Sequence, residues 1–174
     1  MRLVLVAIAA VAALGTGVSA SKPKDAPFDG AWMSCQTWQG ARICVYKLLV
    51  QRGDRVCGIQ SDFATNAYYY QRFIGTARAN VLAIDKICGD PGSETDTYCA
   101  GAAPAGAQKV GWGTSDKGLV ACGNRLHGVS EGAGFSCTKA IRATGIPKVR
   151  SLEGEGPEAE DHAWLAACAS GRDD

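Results

Sequence analysis

Eight cysteines, Cys35, Cys44, Cys57, Cys88, Cys99, Cys122, Cys137 and Cys168, punctuate the chain, and all of them follow an N-terminal segment that reads as an export signal. Arg2 precedes the apolar run LVLVAIAAVAALGTGV, and the small-x-small triplet VSA ends at Ala20. This is the arrangement of a signal peptide over residues 1–20, with a mature chain starting at Ser21. Ala and Gly dilute the run too far for a transmembrane anchor, and no cysteine follows it to accept a lipid. The expected location is therefore secreted, periplasmic or extracellular. In such an oxidising compartment, an even set of cysteines is a disulfide framework. Proximity favours Cys35 with Cys44, Cys88 with Cys99 and Cys122 with Cys137, leaving Cys57 with Cys168, although spacing alone does not choose among the roughly hundred pairings open to eight cysteines. A metal centre is not expected. There is no CxxC or HxxxH pair, and the two histidines, His127 and His162, are far apart. No cofactor motif appears.

Short strands fill most of the chain up to residue 145, and the class expected is all-β. In CVYKLLV, Cys44, Tyr46, Leu48 and Val50 share one face, and Val45, Lys47, Leu49 and Gln51 the other. RVCGI continues after Arg52-Gly53-Asp54. A two-residue turn at Gly53 and Asp54 sets Val50 opposite Cys57 and Leu48 opposite Ile59, so that the apolar faces meet; an odd loop would put Lys47 and Gln51 on the face of Cys57 and Ile59. Gly first in such a turn suits type II′, and this turn chemistry accounts for the RGD tripeptide without an adhesive role. A second hairpin joins YYYQRFIGTAR (68–78) to VLAIDKIC (81–88) through Ala79 and Asn80. A long loop rich in Gly, Pro, Ser and Asp follows, tied by a cysteine at each end of its first half. Strands are then expected at QKVGWG (108–113), GLVACG (118–123) and FSCTKAIRA (135–143), with NRLHGVSEGAG as the loop between the last two.

With a first strand in FDGAWMSC, the total is about eight short strands in an antiparallel meander, and closure into a barrel would remove the exposed edges. The Gly-x-Trp of that first strand, Gly30, Ala31 and Trp32, followed by successive hairpins, resembles the calycin plan of lipocalins, avidins and small periplasmic enzyme-inhibitor barrels. The likeness would span residues 28–142. It implies a barrel fold and carries over no binding residues.

The tail differs in kind. From residue 151 a Gly/Glu linker turns helix-prone at Pro157, with acids after it and apolar Ala163, Trp164, Leu165 and Ala167. The domain plan is a barrel over residues 21–145 and an acidic linker with one short C-terminal helix over 146–174. Cys168 would pin that helix to the barrel, with Trp164 as its anchor. Charge divides near the same boundary: residues 21–150 hold 16 Lys and Arg against 10 Asp and Glu, whereas residues 151–174 hold one Arg against seven acids. Three readings of the acidic tail stand: a shield over a basic face of Arg42, Lys47, Arg52, Arg55, Arg72 and Arg78, a solvated surface, or a basic body left to an anionic partner.

Catalytic constellations are thin. Ser136 and Lys139 have the spacing of a Ser–Lys pair, yet on a strand residues three apart face opposite ways. His127 sits in a Gly-rich stretch expected to be a solvated loop. Asp62 and Asp85 are carboxylates with no spacing that selects them for glycoside hydrolysis. The reading is a secreted or periplasmic binding protein, an inhibitor or immunity-type protein acting on another envelope or secreted protein; the alternatives are a small-ligand carrier or a secreted hydrolase. Nucleic acid is not an expected partner for a secreted chain of net charge +1. The candidate binding residues are Tyr68, Tyr69 and Tyr70, one of which must face outward, with Arg52, Arg55 and Arg72.

Overall fold

The computed structural model describes residues 26–64, 67–92, 94–130, 135–138 and 145–172; residues 1–20, where the sequence predicts an export signal, lie outside this set. Eight antiparallel strands form a closed barrel in sequence order: β1 (Gly30–Trp38), β2 (Ala41–Arg52), β3 (Arg55–Ala64), β4 (Ala67–Arg78), β5 (Val81–Gly89), β6 (Lys117–Cys122), β7 (Arg125–Ser130) and β8 (Ile146–Val149), with β8 returning to pair with β1. One helix, α1 (Ala159–Ala169), follows.

Tight turns fix the registers. Arg52 pairs with Arg55, so Gly53 and Asp54 form a two-residue turn, Val50 faces Cys57 and Leu48 faces Ile59. Gly53 has φ 62°, the value a type II′ turn needs at its first central residue. Ala79 occupies the same place between β4 and β5 at φ 53°, where its Cβ is strained.

Alternation along each strand splits the apolar residues into two layers. Trp32, Leu49, Val56, Phe73, Leu82, Leu119 and Leu126, drawn from β1 to β7, fill the barrel interior. Gly58 makes room for this packing, since a Cβ there would stand 2.2 Å from the Phe73 ring. Met33, Cys44, Tyr46, Cys57, Ile59 and Ile74 point outward from β1 to β4 and are buried by Leu165, Cys168 and Ala169 of α1 together with Leu152. The apolar face shared by Cys44, Tyr46, Leu48 and Val50 is thus the outer one, roofed by the helix. One end of the barrel is plugged: Phe28 is fully buried, its N–H donates to Gln51 Oε1 at 3.1 Å, and Trp32 Nε1 donates to the Phe28 carbonyl at 3.2 Å. The Lys148 ammonium lies 5.1 Å above the Trp32 ring and donates to the Asp29 carbonyl, joining β8 to this plug.

Four disulfides join Cys35 to Cys44, Cys57 to Cys168, Cys88 to Cys99 and Cys122 to Cys137, the pairing that proximity favours. The strand count agrees with the sequence reading, but two identities do not. QKVGWG makes only the single bridges of Tyr98 with Val110 and Ile87 with Gly113, because Gly111 at φ 108° breaks the extended run. RLHGVS, expected to be loop, is β7: Leu126 turns inward and His127 outward, a period-2 pattern masked by the surrounding glycines. The closing strand is Ile146–Val149, not residues 135–143, of which 139–143 lie outside the described residues. Pairing of Ile146 and Pro147 with β7 and of Lys148 and Val149 with β1 carries the barrel past residue 145, where the sequence placed its end.

Candidate functional site at the open end of the barrel

Opposite the plug, the barrel interior becomes polar. Lys47 on β2, Gln60 on β3 and Gln71 on β4 are directly paired across neighbouring strands, so their side chains form one row inside the wall. Lys47 Nζ donates to Gln60 Oε1 at 2.6 Å, and Gln60 Nε2 donates to Gln71 Oε1 at 2.6 Å and to Glu94 Oε2 at 3.0 Å. Lys47 also faces Asp62 Oδ2 at 3.5 Å. A lysine has donors only, so it fixes which way both amides point: each presents its oxygen toward Lys47 and its nitrogen away. The row consequently ends on Gln71 Nε2, a fully buried donor without a hydrogen-bond partner among the described residues. Such a group costs about 1–3 kcal/mol unless an acceptor reaches it.

Lys47, Gln60 and Glu94 line a cavity of about 270 Å³ together with Ile84, Lys117 and Ser130. A second cavity of about 440 Å³ lies along the seam between β5 and β6. The seam exists because these strands pair only over Val81–Ala83 and Gly118–Val120, and beyond that β5 carries a bulge opposite Ile74 and Gly75.

The residues anticipated from sequence do not assemble into one site. Tyr70, Arg55 and Arg72 face α1: Arg72 Nη2 pairs with Asp161 Oδ1 at 2.5 Å and stacks over the Trp164 ring at 5.1 Å, and Arg55 Nε donates to the Cys168 carbonyl at 2.8 Å. Trp164 also packs 6.1 Å from Trp112. The Tyr70 hydroxyl is buried and makes no hydrogen bond of ordinary geometry; burial first, and then the neighbouring Asp161 carboxylate, hold its pKa far above that of free tyrosine. Burial and the charges of Asp161 and Glu155 raise that of Tyr46 as well. Tyr69 is half-buried and Tyr68 is 52% exposed at the open end, set edge-on to Phe63 at 5.2 Å. Arg52 is exposed at the plugged end.

The basic face imagined beneath the tail is only partly so used. Arg42 meets Glu153 and Glu155, but Lys47 lies inside the barrel and not on that face. His127 is not a solvated loop residue: it is 6% exposed on β7 and packs against Phe135 at 5.2 Å. His162 is exposed on α1. Ser136 bonds Thr138, and Lys139 lies outside the described residues. Among the described residues, no three His, Cys, Asp or Glu side chains gather as a metal site, and no helix is long and apolar enough to cross a membrane.

Sequence reasoning missed Gln60, Gln71, Glu94 and Lys117 and misplaced Lys47. The signal available was Lys47 and Gln51 sharing the face opposite Tyr46 and Leu48. Comparison with family models, with curated proteins and with solved structures finds no match for this chain.

Proposed function

We propose that the protein is a secreted binding protein that takes a small ligand at the open end of its barrel. The observation that carries this reading is the Lys47–Gln60–Gln71 row, a polar series inside the barrel that ends on a donor with no acceptor among the described residues. Buried polar groups weaken a fold unless every member is satisfied. Lys47 and Gln60 of this row line a cavity with Glu94, and a few polar side chains converging on a cavity are the arrangement expected of a small-ligand site. Four disulfides fit an oxidising location for such a protein.

A second reading, an inhibitor or immunity-type protein directed at another envelope or secreted protein, is favoured by Trp38 and Tyr68. They are 47% and 52% exposed and lie near the last residue of β1 and the first residue of β4, at the same end of the barrel, and large exposed aromatics anchor protein partners. Native mass spectrometry of the oxidised protein purified from its producer separates the two. Small-ligand binding predicts a discrete added mass that disappears in Gln60→Leu. A protein partner captured by the wild type and lost in Trp38→Ala with Tyr68→Ala, with no added small mass, would replace the first reading by the second.

A further inference from the structure

The four disulfides differ in what surrounds their sulfurs. Cys44, Cys57, Cys88, Cys99 and Cys168 are buried, whereas Cys35 and Cys137 are exposed. Two of the bonds have a guanidinium beside a sulfur: Arg42 Nη2 donates to Cys35 Sγ at 3.3 Å, and Arg55 Nη2 stands 3.9 Å from Cys168 Sγ. Cys168 is fully buried, out of reach of an external thiol. Cys137 Sγ has the neutral Asn80 amide at 3.4 Å instead of a cation. Among the described residues, Cys35 alone combines an exposed position with a cation at its sulfur.

The β1–β2 register builds this arrangement. Cys35 lies directly opposite Cys44, and Thr37 lies opposite Arg42 one pair further along the same face, so Arg42 is the diagonal neighbour of Cys35. Arg42 is held in place by Glu153 at 3.4 Å and Glu155 at 3.5 Å. Both carboxylates are well solvated, which weakens their effect at the sulfur, whereas Nη2 touches it and can donate to negative charge that develops there. The ladder runs on both sides of the cysteine pair, from Gly30 with Leu49 to Trp38 with Ala41, so its hydrogen bonds keep the two sulfurs adjacent whether or not they are joined. This bond can therefore open and close within the folded barrel, unlike Cys57–Cys168, which anchors α1.

We propose that Cys35 and Cys44 form a dithiol–disulfide exchange site, with Cys35 as the attacking thiol, Cys44 as the resolving thiol and an external thiol–disulfide couple as the reactant. In the reduced pair, the Cys35 thiolate attacks one sulfur of an external disulfide, and the other external sulfur leaves as a thiolate. The Cys44 thiolate then attacks Cys35 Sγ, the Cys35–Cys44 bond forms, and the second external sulfur leaves. The pair loses two electrons, the external disulfide gains them, and the two cysteine protons pass to the released thiolates. An external dithiol runs the same steps backward. The site lies on the outer face of the hairpin and does not depend on the small-ligand reading of the interior.

The first test mixes the oxidised protein with dithiothreitol in native buffer, quenches aliquots with iodoacetamide and maps the labels by peptide mass spectrometry. Cys35 and Cys44 are expected to be labelled about tenfold faster than Cys122 and Cys137, with unchanged circular dichroism. Opening of Cys122–Cys137 first, or of all four bonds together with loss of the dichroism, would overturn the site. The roles are tested with glutathione disulfide and the single-thiol variants Cys44→Ser and Cys35→Ser. Cys35 in the first is expected to take up glutathione about tenfold faster than Cys44 in the second, because only the exposed thiol beside Arg42 is accessible as a thiolate. Adding Arg42→Gln to Cys44→Ser should slow that uptake about threefold at about pH 6, where the thiolate fraction limits the rate. Equal or reversed uptake by the two single-thiol variants, or a rate indifferent to Arg42→Gln, would overturn the assignment of Cys35 as the attacking thiol.

Discussion

At the scale of single residues, two positions bear costs that substitution should reveal. Ala79 holds a left-handed conformation that glycine adopts freely, so Ala79→Gly should stabilise the protein by up to about 1 kcal/mol, read as a higher urea midpoint. Tyr46 and Tyr70 resist ionisation in the folded state. Their folded pKa values exceed the unfolded one, so their contribution is complete below about pH 10, the ordinary tyrosine value, and is lost as pH rises above it. Urea midpoints should therefore fall between pH 9 and pH 11, and the fall should be shallower in Tyr70→Phe. An identical slope in that variant would mean that other groups set the alkaline limit. The Gly-first turn at Gly53 was legible because backbone sterics are local. The unsatisfied Gln71 amide was not, because its partners come from other strands.

At the scale of elements, α1 is held by tertiary contacts and not by its own sequence. Its N-cap residue, Glu158, makes no side-chain capping bond, and no basic residue occupies its last turn. What retains it is the Cys57–Cys168 bond, the Arg72–Asp161 pair and the packing of Leu165 on the outer face. Loop-closure entropy grows with the length enclosed. Removing Cys57–Cys168, which spans 111 residues, should cost about 5 kcal/mol, against about 2.5 kcal/mol for Cys35–Cys44, which spans nine. Denaturant unfolding of the two Cys→Ser double variants tests that order. β7 and β8 were missed for opposite reasons: glycines disguised a true alternation in β7, and the four residues of β8 are too few to show one.

For the molecule as a whole, the acidic tail and basic body invite an electrostatic account of docking, but the contacts favour another. Arg42, Glu153 and Glu155 are more than two-fifths exposed, and such pairs contribute at most about 1 kcal/mol each. Trp164 fluorescence should therefore report a docked helix in 1 M salt, where exposed pairs are screened. Loss of the docked signal would show that charge and not burial retains the tail. The barrel interior should be less forgiving. Phe73→Ala should cost about 3–5 kcal/mol in denaturant unfolding, because the ring fills the space over Gly58.

The sequence by itself determined the β class and the tight turns that join β2 to β3 and β4 to β5, and it favoured the short-range disulfides without selecting them. All of these follow from alternation, turn sterics and proximity, which act over a few residues. Only the tertiary structure decided that the face of Tyr46 and Leu48 lies outside the barrel, that Lys47 lies inside it, and that Gln60, Gln71 and Glu94 complete a row with it. Period-2 alternation shows which side chains share a face; which face becomes the interior depends on how the sheet curls, and that is settled by the closure of β8 on β1 and the docking of α1.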